Sequence, residues 1–307
     1  MNTQFLIWML FGVVLTTALV IDLAILNKHK GNIKTKNAAA MVLIWISLAL
    51  LFGVSIYFTF GKEKALEYLA GYSVEYSLSI DNIFVFLMIF SNFTIAKSSQ
   101  SKVLIYGIVS AIILRFLFIF IGIKLINNFY WIIYIFGALL IYAAIKILCE
   151  KGKRIKPNYS NMYKLIKRFI PFRNNTTSKK FFIKENKKIY ATPMLAALMV
   201  IEMSDLIFAI DSIPAVLSIS RDTFIVYSSN IFAIIGLRSL YFLLSNFASK
   251  FKFLQIGIAA ILVFIGLKMI LSGFIHISTE FSLSFILISI SISIFVSIIK
   301  KSTRRAN

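Results

Sequence analysis

Nine apolar runs of about 20 residues, separated mostly by short polar connections, leave this chain one kind of solvent. A run of that length lets an α-helix cross a hydrocarbon core about 30 Å thick. Within lipid only helices and closed barrels satisfy every backbone N–H and C=O. The runs fall at residues 5–26, 39–60, 68–91, 103–124, 129–149, 191–216, 224–246, 253–272 and 281–299. They predict an all-α polytopic membrane protein with a single membrane domain over 1–307. Composition agrees: 59% of residues are hydrophobic, 15% are charged and the mean hydropathy is +0.87, which leaves no stretch for a soluble domain. MNTQF ahead of the first run carries no basic leader, and the run is too long for a signal peptide, so it reads as a retained span.

A net charge of +21 on a soluble chain would suggest nucleic acid, but here the basic residues crowd the ends of the apolar runs. They alternate. Connections after runs one, three, five, seven and nine carry 25 lysines and arginines, against four (Lys62, Lys64, Lys124 and Arg221) on the other side. By the positive-inside rule the N-terminus lies outside and the C-terminus in the cytoplasm, as for a multi-pass protein of a bacterial inner (cell) membrane. Thirteen of the basic residues fall between Lys151 and Lys188, in the loop 150–190, where NMYKLIKRFIPF alternates apolar and basic positions. That segment suits either an amphipathic helix on the anionic inner leaflet or a solvated loop. The partners expected are the lipid bilayer and an ion, not nucleic acid.

Two segments break the apolar pattern in the same way. EYSLSIDN (75–82) and DLIFAIDS (205–212) each hold two carboxylates six residues apart inside a span: Glu75 with Asp81, and Asp205 with Asp211. A charge at the bilayer centre costs roughly 2.5 to 3.5 kcal/mol on insertion scales, so acids placed there mark a functional site. The repetition extends further, since LRFL (114–117) matches LRSL (237–240) and GALLIYAAIKIL (137–148) matches AAILVFIGLKMI (259–270). Arg115 thus stands opposite Arg238, and Lys146 opposite Lys268. Three spans recur in order, over 68–149 and 191–272, with 281–299 as a final helix. Three is odd, so the second unit enters from the opposite face, the inverted-repeat plan of secondary transporters.

Six acids lie within spans (Asp22, Glu75, Asp81, Glu202, Asp205 and Asp211) against four bases (Arg115, Lys146, Arg238 and Lys268). The excess of two negative charges suits one divalent cation. One cysteine, Cys149, and two histidines, His29 and His276, supply neither a disulfide nor a soft-metal site. Oxygen ligands favour hard ions such as Mn, Ca or Mg, and Ser77, Ser79, Asn82 and Ser212 add oxygens beside the acids. Residues six apart on a regular helix are rotated by about 240°, so either the helices are locally broken or the acids line two faces. Pro214, in DSIPA, and the SLS before Asp81 favour irregularity. The competing reading is structural: buried pairs of these acids with Arg115 and Arg238 that fix helix packing. Asp22, close to its span end, also suits snorkelling, as do Lys146 and Lys268.

EYSLSIDNIFVF, IEMSDLIFAIDSIPAV and SNIFAIIGLRSLYFLL resemble the signature segments of the TerC family of membrane proteins. The resemblance implies a manganese-exporting carrier related to other inverted-repeat cation exporters, with some members tied to tellurite resistance. It carries over Asp22, Glu75, Asp81, Asn82, Glu202, Asp205 and Asp211 as metal-site positions; Arg115 and Arg238, placed mid-span, read as counter-ions to the acids. Asp81 and Asp211 are the first candidates as ligands, Glu75 and Asp205 the second. No cofactor is expected, only a transported divalent cation. HExxH, GxSxG and phosphate-loop patterns are absent, so the chain reads as no enzyme. The alternative is a membrane scaffold or assembly factor for stress resistance or metal loading of exported proteins, acting through the basic loop.

Overall fold

The computed structural model describes residues 3–29, 35–149, 180–185, 188–245, 254–275 and 277–306. Its elements are α1 (Thr3–His29), α2 (Thr35–Phe60), α3 (Lys62–Asn92), α4 (Lys97–Asn128), α5 (Ile132–Cys149), β1 (Phe182–Glu185), β2 (Lys188–Ala191), α6 (Pro193–Leu217), α7 (Thr223–Ile235), α8 (Leu237–Ser245), α9 (Leu254–Ile270) and α10 (Thr279–Ala306). With α7 and α8 as halves of one span, the described residues supply nine apolar segments long enough to cross a membrane. Each corresponds to one of the nine apolar runs.

The helix ends follow local chemistry. Gly61, at φ 88°, turns the chain from α2 into α3 in a conformation that only glycine adopts without strain. Asp222 caps α7, its Oδ1 accepting from the backbone N–H of Phe224 at 2.9 Å and of Ile225 at 3.3 Å. α6 opens on Pro193, whose missing N–H costs nothing in a first turn.

Contacts sort the connections into two ends. At one, Lys62 pairs with Glu280 at 3.7 Å and Ser220 donates to Glu67 at 2.5 Å, joining the starts of α3 and α10 to the α6–α7 connection. At the other, Phe181 beside the hairpin meets Tyr106 of α4 (ring centroids 5.0 Å apart), and Tyr241 of α8 donates to Gln100 of α4 at 2.8 Å. α3 and α6 therefore start from opposite ends. The centre of the bundle is Thr223–Ser245, of which 94% is buried, while the windows of α1 and α10 are buried by 22% and 17%. α3 packs on α2, α6, α7, α8 and α10; α4 lies on α6 and α7; and α5 pairs with α9.

Two expectations change. α3 and α6 are helical throughout, including at Asp81, Asp211 and Pro214. Pro214 lies in the last turn of α6, so its ring disturbs only a helix already ending, and the positions six apart stand on different faces. The irregularity lies instead at Gly236, which divides α7 from α8. Residues 182–191, read as loop and span start, form an antiparallel hairpin in which Phe182 pairs with Ala191 and Glu185 with Lys188. The basic amphipathic segment 161–172 lies outside the described residues.

α5 and α9 approach closely enough for backbone contact. A Cβ at Gly266 would stand 2.7 Å from the Gly137 carbonyl oxygen, and one at Gly137 2.8 Å from that of Gly266. Small residues at such crossings replace the hydrophobic drive that lipid cannot supply. Gly266→Ala should push the two helices apart and cost about 1 to 3 kcal/mol, the usual range for overpacking. Thermal melting of the detergent-purified protein against wild type checks this.

A buried carboxylate and arginine site

Four helices contribute to one polar cluster. Glu75 on α3 is 0% exposed and Arg115 on α4 is 1% exposed, and Arg115 Nη1 donates to Glu75 Oε1. The same nitrogen reaches Ser212 Oγ on α6 and Asn230 Oδ1 on α7, both at 3.1 Å. Asn230 Nδ2 donates to Glu75 Oε2 at 3.0 Å. The amide thus turns its NH2 to the carboxylate and its carbonyl to the guanidinium, the one orientation that satisfies both. Arg115 Nη2 also faces Asp205 Oδ1 on α6, but at 3.5 Å. That is longer than the 2.7–3.2 Å of a good N–H···O bond, so Asp205 feels the charge without being tightly held.

Beside this cluster lies a cavity of ≈ 20 Å³ between α3, α4, α6 and the α7–α8 turn. That is room for one water-sized guest. Ser79, Asn82, Arg115, Glu202 and Asp205 form its polar wall, and Phe86, Leu104, Ile108, Ile201, Ile234 and Leu237 its apolar one. Among the described residues, both carboxylate oxygens of Glu202, and Oδ2 of Asp205, are shut from the surface without a partner of good hydrogen-bond geometry; the Ser110 hydroxyl beside Glu202 donates instead to Gly107 O at 3.0 Å. Buried polar atoms are ordinarily paired, and an unpaired one costs about 1 to 3 kcal/mol, more when charged. Three such oxygens around one small cavity form an acceptor set waiting for a donor or a cation. Among the described residues no three histidine, cysteine or acidic side chains form a preformed metal cluster. The donor set is two carboxylates supplemented by amide and hydroxyl oxygens.

The structure divides the sequence candidates. Glu75, Asp205 and Arg115 come together, while Asn82, Glu202 and Asp205 share the cavity. Asp22 joins neither group. It is buried, which overturns snorkelling, and accepts from Arg238 Nη2 through Oδ1 and, at 2.8 Å, through its backbone oxygen. Arg238 therefore ties α1 to α8, and Arg115 faces Asp205, an acid of the second repeat. Asp81 and Asp211 lie on α3 and α6, but their side chains fall outside the described residues. Ser77 donates to its own helix, at Ser73 O, 2.6 Å away. Lys268 donates to Ser282 Oγ at 2.8 Å.

Sequence reasoning missed two polar groups. Asn230 sits in the quoted run SNIFAIIG, where an amide inside an apolar span was the available signal. Glu67 falls just before the third apolar run and is nonetheless buried, bridged to Lys64 at 2.8 Å and accepting from Ser220.

Fold and site together define a polytopic helical membrane protein built around a buried, charged, water-sized cavity. The chain belongs to the Integral membrane protein TerC family, whose pattern it matches over residues 60–305. It is 41% identical over 294 residues to an uncharacterized membrane protein of Myxococcus xanthus, covering 96% of this chain and 92% of that one. It is 42% identical over 291 residues, covering 91% and 89%, to a protein of Escherichia coli O6:H1 named as a candidate membrane-bound redox modulator, Alx. A membrane protein of Rickettsia bellii is 37% identical over 295 residues, covering 96% and 98%. No solved structure matches the chain.

Breaking a buried pair by removing one partner costs about 3 to 5 kcal/mol, because the other charge stays buried. Arg115→Met should therefore sharply lower the yield and melting temperature of the purified protein. Adding Glu75→Gln to Arg115→Met should recover part of that loss, which fluorescence-detected size-exclusion melting of the two variants will show.

Proposed function

We propose that the chain is a secondary transporter that exports a divalent metal cation, Mn2+ first among hard ions, through the cavity between α3, α4, α6 and the α7–α8 turn. The observation that carries this reading is the set of three buried, unpartnered carboxylate oxygens of Glu202 and Asp205 facing that cavity. The local charge points the same way. Among the described side chains, Glu75, Glu202 and Asp205 oppose one guanidinium, Arg115, an excess of two negative charges that a divalent cation neutralises. Carboxylate, amide and hydroxyl oxygens suit hard ions. Manganese rests on the family resemblance.

α3, carrying Glu75, and α6, carrying Asp205, start from opposite ends and meet at Arg115. That supports an inverted repeat with its site at the interface of the halves, from which alternating access follows by rocking one half against the other. Gly137 against Gly266 fits the same symmetry, because the matching positions are Ala259 and Ala144, both fully buried small residues. On the positive-inside rule the end with the hairpin is cytoplasmic and the N-terminus lies outside the bacterial cell membrane. Protonation of Glu202 or Asp205 from outside would discharge the cation and couple export to a proton gradient. The redox role in the relatives' name finds no dithiol here, since Cys149, exposed at the end of α5, is the one cysteine.

Cells lacking the protein should accumulate manganese, and the wild-type chain should restore normal content. Glu202→Gln and Asp205→Asn, each removing one charged ligand, should lower export about tenfold or more, the equivalent of about 1.4 kcal/mol. Elemental analysis of the cells and Mn2+ flux into sealed inverted vesicles are the measurements. Normal metal content in the deletion strain would sink the proposal.

A further inference from the structure

Most of the tight glycines in this bundle have a packing reason. At Gly71, Gly122, Gly137, Gly257 and Gly266 an added Cβ would stand 2.9 Å or less from a neighbouring helix. Gly107, in the middle of α4, is different. A Cβ there would meet Glu202 Oε1 and Ile201 Cγ2 at 3.6 Å each, ordinary van der Waals contact, with nothing nearer. Helix packing thus leaves room for alanine, and a mid-helix glycine is otherwise a liability because it leaves the unfolded chain freer. What glycine preserves is the cavity that Gly107 lines.

The internal sequence repeat gives this position a counterpart. Gly107 stands eight residues before Arg115, as Asn230 stands eight before Arg238. In the second repeat that position holds an amide, which satisfies Glu75. In the first it holds no side chain, and the carboxylates that share its cavity, Glu202 and Asp205, keep three oxygens without a well-formed hydrogen bond among the described residues. The second repeat fills the position and closes an acid of the first; the first leaves it empty.

Resting on the carrier reading, we infer that Gly107 is the specificity-determining residue of the cation site: it reserves a space that admits a dehydrated ion and excludes a hydrated one. A cavity of ≈ 20 Å³ holds one water-sized guest and not a cation with its shell of waters. Entry therefore selects against ions that dehydrate reluctantly. Mg2+ is such an ion, and it also demands near-ideal octahedral geometry. Softer-shelled divalent ions such as Mn2+ pass the same filter and meet Glu202 and Asp205 directly. A methyl group at 107 would occupy the guest's volume against Glu202 Oε1.

The test is Mn2+ binding to the purified full chain by calorimetry, with Mg2+ as competitor. Wild type should hold Mn2+ against a hundredfold excess of Mg2+. Gly107→Ala should elute and melt like wild type or better, yet bind Mn2+ at least tenfold more weakly. Ala111→Val, one turn further along the same wall, narrows the same cavity and should lower the affinity likewise, which keeps the idea open to refutation if Gly107→Ala fails to fold. Wild-type Mn2+ affinity in a folded Gly107→Ala or Ala111→Val protein would overturn the inference and leave the carrier reading standing. So would displacement of Mn2+ from wild type by equimolar Mg2+. Absence of any divalent binding to wild type would overturn the carrier reading and this inference with it.

Discussion

The guanidinium of Arg115 is the point on which the bundle closes. It reaches Glu75 of α3, Ser212 and Asp205 of α6 and Asn230 of α7 from its own place on α4, so four helices share one charge. In lipid, apolar side chains gain little by touching one another rather than hydrocarbon tails, and helix association relies on close packing and on polar contacts. A buried arginine with several acceptors is such a contact, and it dictates register as well as proximity. Sliding α4 by one turn would move the guanidinium by about 5.4 Å and leave Glu75 without its partner. The apolar positions around it would tolerate that slip far better.

The two arginines of the internal repeat show how symmetry in sequence is spent asymmetrically in structure. Arg115 lies between acids of both halves, whereas Arg238 holds Asp22 of α1 and has no acid of the repeats among its described partners. α1 stands outside the repeat and exposes most of its surface. Its docking on the centre of the bundle therefore depends heavily on this one charged contact, supported by Trp8 and Phe11 against Phe224 and Tyr227. The same residue type at matching positions serves as the joint of the two halves in one case and as an anchor for an added helix in the other.

Much of this was legible in the amino-acid order, because the bilayer imposes a length and a polarity that leave few alternatives. All nine spans, and the placement of Glu75, Asp205 and Arg115 as charges inside them, follow from that constraint alone. What was not legible depends on which faces meet. Nothing in the spacing of LRSL says that Arg238 turns to α1 rather than α6. Asn230 carries no charge and so raised no alarm inside its apolar run. Glu67 lies just beyond an apolar window, yet the helix begins five residues earlier, at Lys62, and carries it inside. The hairpin did leave a trace, with Phe, Ile and Tyr on either side of Asn186, but the surrounding lysines read as loop.

The contrast between Glu75 and its neighbours carries the last step. Both oxygens of Glu75 are satisfied, by Arg115 and Asn230, so an incoming cation would have to break a fully desolvated charge pair to use them. Among the described residues Asp205 is held on one oxygen only, at 3.5 Å, and Glu202 by no hydrogen bond of good geometry. A carrier must bind its ion firmly enough to select it and loosely enough to let it go. Under the carrier reading, a site made of Glu202 and Asp205 meets both demands, because loading it replaces one long contact and leaves the Glu75–Arg115–Asn230 core intact. Arg115 then works as a built-in competitor: its charge faces Asp205 in the empty site and repels the cation once bound. The interaction that holds the four helices together thus also limits how tightly their cargo is held.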